Sequence, residues 1–325
     1  MLRIPAGAGN RLLARLDALQ RRHAVLGFPY AVVIKYVDDG GWRQAALITY
    51  YGFLSIFPIL LVATSVVSRV LVNRPALRQE MVEALLPPAL QSTVNTALAA
   101  MPTSGLPLGL GIAGLVLSGT GVVFSAYETL NQLAGVPRRS RFHWISRYTR
   151  VVLMVVVVLV GGLGVAALTV ASGWLPDQLQ RAAASIATAL VVFLVLVTAA
   201  ALLVARRIPL RTSILPAATG AVVVAVVLAL GARLLGPLVE RAGPVYGSFA
   251  TVAGIFTLLY LVSQALLYAA EVAVVRHRGL WPRALVTSRP TPADVLALTL
   301  LATVQERIPV QRVEVEFDRP EPEQR

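Results

Sequence analysis

The chain has 325 residues, 57% of them hydrophobic and only 14% charged, whereas soluble domains run at roughly 45–50% and 25%. This balance excludes an ordinary soluble protein and predicts an all-α integral membrane protein. The formal charge of +13 would suit a nucleic-acid binder only if it clustered on a soluble face, and most of the basic residues instead lie between apolar runs.

Cysteine is absent, which excludes disulfides, thiolate metal sites and cysteine nucleophiles. Nothing from Met1 to Arg43 reads as a cleavable signal peptide. Residues 1–44 form an amphipathic segment expected on the cytoplasmic side. Leu12, Leu16 and Leu19 share one helical face, and Arg11, Arg15, Arg21 and Arg22 supply charge. That pattern fits a helix on an anionic leaflet, and equally a solvated one. The Asp38-Asp39-Gly40-Gly41 turn closes it.

The first span, residues 45–72, exceeds the roughly 20 apolar residues that cross a bilayer core. Tyr51, Ser55 and Ser65 recur along one face, with Pro58 in the same stripe. Pro58 removes a backbone N–H and predicts a kink or break near Phe57. Two readings stand together here. One is a packing kink whose Ser and Tyr bond to neighbouring helices. The other is a cavity wall, where protein or water satisfies the freed carbonyl.

Residues 73–105 are too polar to span. Leu77, Met81 and Leu85 make one stripe; after Pro87-Pro88, Leu90, Val94 and Leu98 make a second. Two short amphipathic helices are expected between spans one and two, either lying on the membrane surface as a lid or re-entrant.

Span two, 106–127, carries Gly109, Gly111, Gly114, Gly119 and Gly121, a composition that lets helices approach closely in lipid. Ser118, Gly121, Ser125 and Glu128 share a face. Span three covers 148–171, span four 183–205, span five 213–235 with Pro216 near its first turn, and span six 246–275. Residues 45–275 thus form a six-span membrane domain, followed by a cytoplasmic tail over 276–325. In the tail, Thr291-Pro292-Ala293-Asp294 reads as an N-cap with Pro at the first helical position, opening a helix to about Glu306. Val313, Val315 and Phe317 alternate with Glu314 and Glu316 and predict one short strand. Disorder is expected from about 320.

Six spans put both termini on one side. Twenty-three basic residues fall there and six on the other, so the positive-inside rule predicts cytoplasmic termini. With that orientation, polar side chains of three spans converge on a cytosol-facing recess. Span one contributes Thr49, Tyr50, Tyr51, Ser55 and Pro58; span two contributes Ser118, Ser125, Glu128 and Asn131. Tyr260, Gln264, Tyr268 and Glu271 come from span six. Arg138, Arg139, Arg141, Arg206 and Arg207 are the candidate contacts for anionic headgroups at its rim. Ionisable groups in a membrane default to functional hypotheses. Glu128 and Glu271 lie near helix ends, however, and a structural salt bridge to an interfacial arginine explains them as well.

The chain resembles the YihY/virulence factor BrkB family of bacterial inner-membrane proteins. The resemblance rests on ALITYYGFLSIFPILL (46–61), YETLNQLAGVPRRSRFHWISR (127–147), RRIPLRTSILPAATGA (206–221) and YGSFATVAGIFTLLYLVSQALLYAAEV (246–272). Within the last stretch, Tyr246-Gly247-Ser248 and Ala270-Glu271 match the family pattern, while Leu259 stands where the family commonly has tryptophan. The resemblance implies six-helix proteins of the bacterial plasma membrane whose biochemical function is unsettled. Members have been linked to serum resistance and, in a related branch, to export of a lipid A precursor.

An older label of the family as a tRNA-processing ribonuclease finds no support in the residues. Only His23, His143 and His277 are present, widely separated, and metal-assisted phosphodiester hydrolysis needs ligands that converge. No Walker-type loop is present. Neither metal nor cofactor is expected, nor an enzyme, nor a nucleic-acid partner. Two functions remain: a transporter or flippase-like protein for a lipid or amphiphile, and a non-transporting scaffold for envelope assembly. Membrane lipids are the expected partners of the first, and envelope proteins or further copies of the chain those of the second.

Overall fold

The computed structural model describes residues 9–73, 105–171, 176–206, 209–246, 248–286 and 290–317. The expected surface helices between spans one and two, Arg207 and the acidic end beyond 317 lie outside these residues.

Nine α-helices are present among the described residues: α1 (Gly9–Arg22), α2 (Ala24–Asp38), α3 (Gly41–Asn73), α4 (Gly105–Leu133), α5 (Trp144–Ala171), α6 (Asp177–Leu202), α7 (Leu210–Tyr246), α8 (Ser248–Arg278) and α9 (Pro292–Thr303). Six of them, α3 to α8, are long and apolar enough to cross a membrane. Their outward faces carry bare apolar side chains such as Leu117, Leu163, Ile186 and Phe249, each at least two-thirds exposed, which only lipid can cover at low cost. The expected all-α, six-span class is the observed one.

Three local expectations change. The N-terminal segment is two helices that meet at His23. The second is largely apolar because it packs on another helix. Of the kink or break expected at Pro58, the break does not occur: α3 runs on as one helix, because proline removes a single N–H and the hydrogen bonds on either side carry the helix past it. Residues 311–317 form no strand. Alternation by itself supplies no partner edge, and a lone strand cannot satisfy its backbone. The tail helix, by contrast, starts as expected: Thr291 and Asp294 form a reciprocal capping box with Pro292 at the first position. It ends at Thr303.

The chain divides into two compact units, residues 50–122 and the remainder. In the smaller unit, the second half of α3 packs against the first part of α4. A Cβ at Gly121 would lie 2.5 Å from the Tyr51 ring, one at Gly114 3.2 Å from Pro58, and one at Gly111 2.9 Å from Val62. The glycine stripe of α4 therefore seats the face of α3 that bears Tyr51 and Pro58. Ser55 and Ser65 return their hydroxyls to Tyr51 O (2.9 Å) and Leu61 O (2.6 Å).

In the larger unit, α5, α6, α7 and α8 pack in succession, α2 lies on α8, and α1 lies on α2. The α7–α8 contact is tight at Gly220, where a Cβ would collide with the Cβ of Ala269. One core joins Val32 and Tyr36 of α2, Ala45, Leu133, Leu267, Val275, Leu280 and Ala297 of α9. A second gathers Val123, Tyr127, Val151, Met154 and Leu203. α4 ends in a left-handed turn at Gly135 (φ +66°), a conformation glycine adopts at least cost. α9 covers this turn, with Leu300 against Gly135.

Candidate functional site

α2 is apolar except at its C-terminal end, where Lys35 and Asp39 stand one helical turn apart. Docking on α8 buries both, to 5% exposure each. Gln264, Tyr268 and Glu271 follow one another on α8 at steps of four and three, so they form one stripe, and α2 covers that stripe. The Tyr36 hydroxyl donates to Gln264 Oε1. The Tyr36 ring stacks on Tyr268, with centroids 4.3 Å apart and planes 15° from parallel, an arrangement worth about 0.5–1.5 kcal/mol beyond area burial. Burial, helped by neighbouring Tyr260 and Tyr268, pushes the Tyr36 phenol up to about 12.

At the end of the stripe, Lys35 is bracketed by two carboxylates. Its ammonium pairs with Asp39 Oδ2 and lies 3.1 Å from Glu271 Oε2, and it also donates to Leu133 O at 3.0 Å. Burial pulls the ammonium down, but Glu271 and Asp39 outweigh it and hold the group above its ordinary value. Asp39 is shifted upward because burial outweighs the pull of Lys35. Glu271 is fully buried, and neither of its oxygens accepts a well-directed hydrogen bond.

Several of the other candidates are fastened into the protein. Asn131 is fully buried; its amide donates to Tyr127 O and Leu203 O, and its carbonyl accepts from Ala205 N, all at 2.8 Å. Thr49 donates to Ser263 Oγ at 3.1 Å. Ser125 is buried, and Tyr260 packs at the edge of the first core. Glu128 is a partly exposed carboxylate that pairs with Arg141 and stands 4.0 Å from Arg147. In the smaller unit, Tyr51 and Pro58 sit on the glycine stripe of α4, Ser118 bonds Gly114 O at 2.8 Å, and Tyr50 is exposed.

The polar stripe of span six is thus packed under α2. Open space lies elsewhere in the larger unit. A crevice of about 80 Å³, several times the ~10–15 Å³ that admits one water, opens between α4, α6, α7 and α8. Its walls are Leu133, Ala134, Ala200, Ala217, Ala270 and Ala273, among others, and among the described residues Ser213 is its only polar side chain. A smaller pocket shares Ala134, Ala273 and Val274 with it and is rimmed by Arg206, His277 and Arg278. Arg278 donates to Ala134 O at 2.9 Å.

The candidate headgroup arginines divide by this geometry. Arg139 is paired with Glu306 at 2.6 Å, and Arg141 with Glu128. Arg138 and Arg206 are exposed, and Arg206, alone among the described members of the set, lines the smaller pocket beside the crevice. Among the described residues, no three metal-ligating side chains converge.

A family model described as "Virulence factor BrkB" matches residues 32–289. The chain belongs to that family. The match begins inside α2, three residues before Lys35, and runs past the end of α8, so the Lys35–Glu271 contact and the whole crevice fall within the family region. No curated protein and no solved structure matches the chain.

Lys35, Asp39, His277 and Arg278 are absent from the residues that sequence reasoning selected. A signal for Lys35 was present: it is the single lysine in a chain that otherwise uses arginine, and it lies in an apolar stretch. A compact ammonium fits between two carboxylates where a planar guanidinium does not.

Proposed function

We propose that this family member is a non-enzymatic protein of the bacterial plasma membrane, with both termini in the cytoplasm, that binds an anionic amphiphile and moves it between leaflets. The observation that carries the reading is the juxtaposition of an apolar, alanine-walled crevice with a rim of Arg206, His277 and Arg278. An acyl chain gains free energy by entering such a slot. A phosphate or carboxylate headgroup gains charge-assisted hydrogen bonds from guanidinium groups at its mouth. All four helices meet there at the end expected to face the cytoplasm, where anionic lipids are enriched. The arginine asymmetry between the two sides of the membrane supports the orientation, and no nucleic-acid partner is included because the basic residues are distributed by topology.

The test uses vesicles of phosphatidylcholine with a trace of fluorescent phosphatidylglycerol, with and without the reconstituted full chain. Transbilayer movement above empty vesicles, reduced at least tenfold in Ala273→Trp and in Arg206→Glu, is the expected result. Rates equal to empty vesicles overturn the transport reading. Headgroup-dependent binding without movement would assign the crevice to a scaffold that holds lipid during envelope assembly or self-association.

A further inference from the structure

Glu271 and Asp39 are both buried, both contact the same ammonium, and one Glu271 oxygen has neither a hydrogen bond nor an ion-pair partner among the described residues. Fully ionised, the cluster would hold two negative charges against one positive, a net charge of minus one in a buried site. A proton resolves this, because it cancels the excess charge and supplies the missing donor. We propose that Lys35, Asp39 and Glu271 form a proton-binding site in which a single proton is held between the two carboxyls. Loaded, the site is one ammonium, one carboxylate and one carboxylic acid, and it is neutral. Unloaded, the proton passes to water and two carboxylates face each other across Lys35.

The surroundings favour that arrangement. Among the described residues, Lys35 is the only cation at ion-pair distance from either carboxylate. Of the other groups nearby, Asp38 is engaged by Arg283 at 2.9 Å, Arg43 packs beside Gly40, and Gln132 donates to the Asp39 backbone carbonyl at 3.0 Å. Tyr36 and Tyr268 are stacked on each other. α9 presents Ala297, Leu300 and Leu301, which carry no charge. The site is also reachable: a cavity of about 10 Å³, lined by Lys35, Asp39, Gln132 and Gly135, has room for one water, the minimum needed to pass a proton. Two carboxyls that share one ammonium titrate as a pair, so the proton belongs to both. Because the carboxyls lie on opposite sides of the α2–α8 contact, loss of the proton loads that contact with repulsion. None of this depends on the chain moving an amphiphile.

The single lysine makes a direct test possible. The full chain is labelled with ¹⁵Nζ-lysine and with ¹³C at the Asp and Glu carboxyls, then studied in lipid bilayers by solid-state NMR. Only carboxyls close to the one Nζ resonance are selected, so Asp39 and Glu271 report without any substitution. The expected result is that the selected carboxyls share protonated character at neutral pH and lose it together, in a one-proton step, as the pH is raised. Glu271→Gln and Asp39→Asn should each abolish the step, while Glu314→Gln in the exposed tail keeps it. If both carboxyls remain fully ionised between about pH 5 and pH 9, the cluster is a charged ion network and the proposal is overturned. A step that survives in both variants overturns it equally.

Discussion

Lys35 Nζ lies 3.1 Å from Glu271 Oε2, an ion pair that joins the last apolar helix before the first span to the end of the sixth. Removing a buried ion's partner costs about 3–5 kcal/mol because the remaining charge stays uncompensated. Lys35→Met is therefore expected to lower the unfolding free energy at neutral pH by about that amount, and Lys35→Met with Glu271→Met to recover part of it. Chemical unfolding in mild detergent measures both, and a single substitution costing under about 1 kcal/mol would contradict the burial argument.

Asn131 and Glu128 both stand among the recess candidates, yet their environments differ. Asn131 is fully buried with three hydrogen bonds, so Asn131→Ala strands the Leu203 carbonyl and the Ala205 N–H, at about 1–3 kcal/mol. Glu128 pairs at a partly exposed edge, and Glu128→Ala is expected to cost less than about 1 kcal/mol. The order of the two melting temperatures decides the matter.

Gly220 faces the Cβ of Ala269. Neither group has a rotamer to escape through, so Gly220→Ala must push α7 from α8. A loss of about 1–3 kcal/mol follows from overpacking. Ala269 also lines the crevice, so the variant should change lipid binding there, measurable by fluorescence of a labelled lipid.

The tail is pinned by carboxylates that favour high pH. Burial pushes Asp294 up, but hydrogen bonds from Thr291, Arg283 and Ala284 outweigh it and hold the carboxyl below 3.8. Asp17 behaves alike: burial raises it, and the Leu285 N–H with Arg21 and Gln20 bring it below 3.8. A depressed carboxylate contributes stability that is complete above its ordinary value and lost as pH falls through the lower folded one. Hydrogen exchange of residues 290–303 should therefore stay slow at neutral pH and rise as acid is added below about pH 4. Asp294→Asn should remove most of that dependence.

Arg283 illustrates what the sequence leaves open. It pairs with Asp294 at 2.5 Å and with Asp38 at 2.9 Å, fastening the tail to α2, a partner 245 residues away in the chain. Nothing local in either segment announces that contact. Nor does the pattern of span six reveal that α2 covers it; Tyr268 and Glu271 read equally well as a cavity wall and as a packing surface.

What the sequence determined alone is the class: six apolar stretches, their order, the glycine-rich composition of α4 and the N-cap of α9. Those features follow from chain length in apolar runs and from hydrogen bonds within a few residues, which local composition dictates. Only the tertiary structure decided that Lys35 meets Glu271, that Asn131 is a clamp, and that the open space lies beside Ala273 and Arg206. Each of these depends on which helix lies against which. In lipid that choice is made by close packing and polar pairing between distant segments, information that no single stretch of the chain contains.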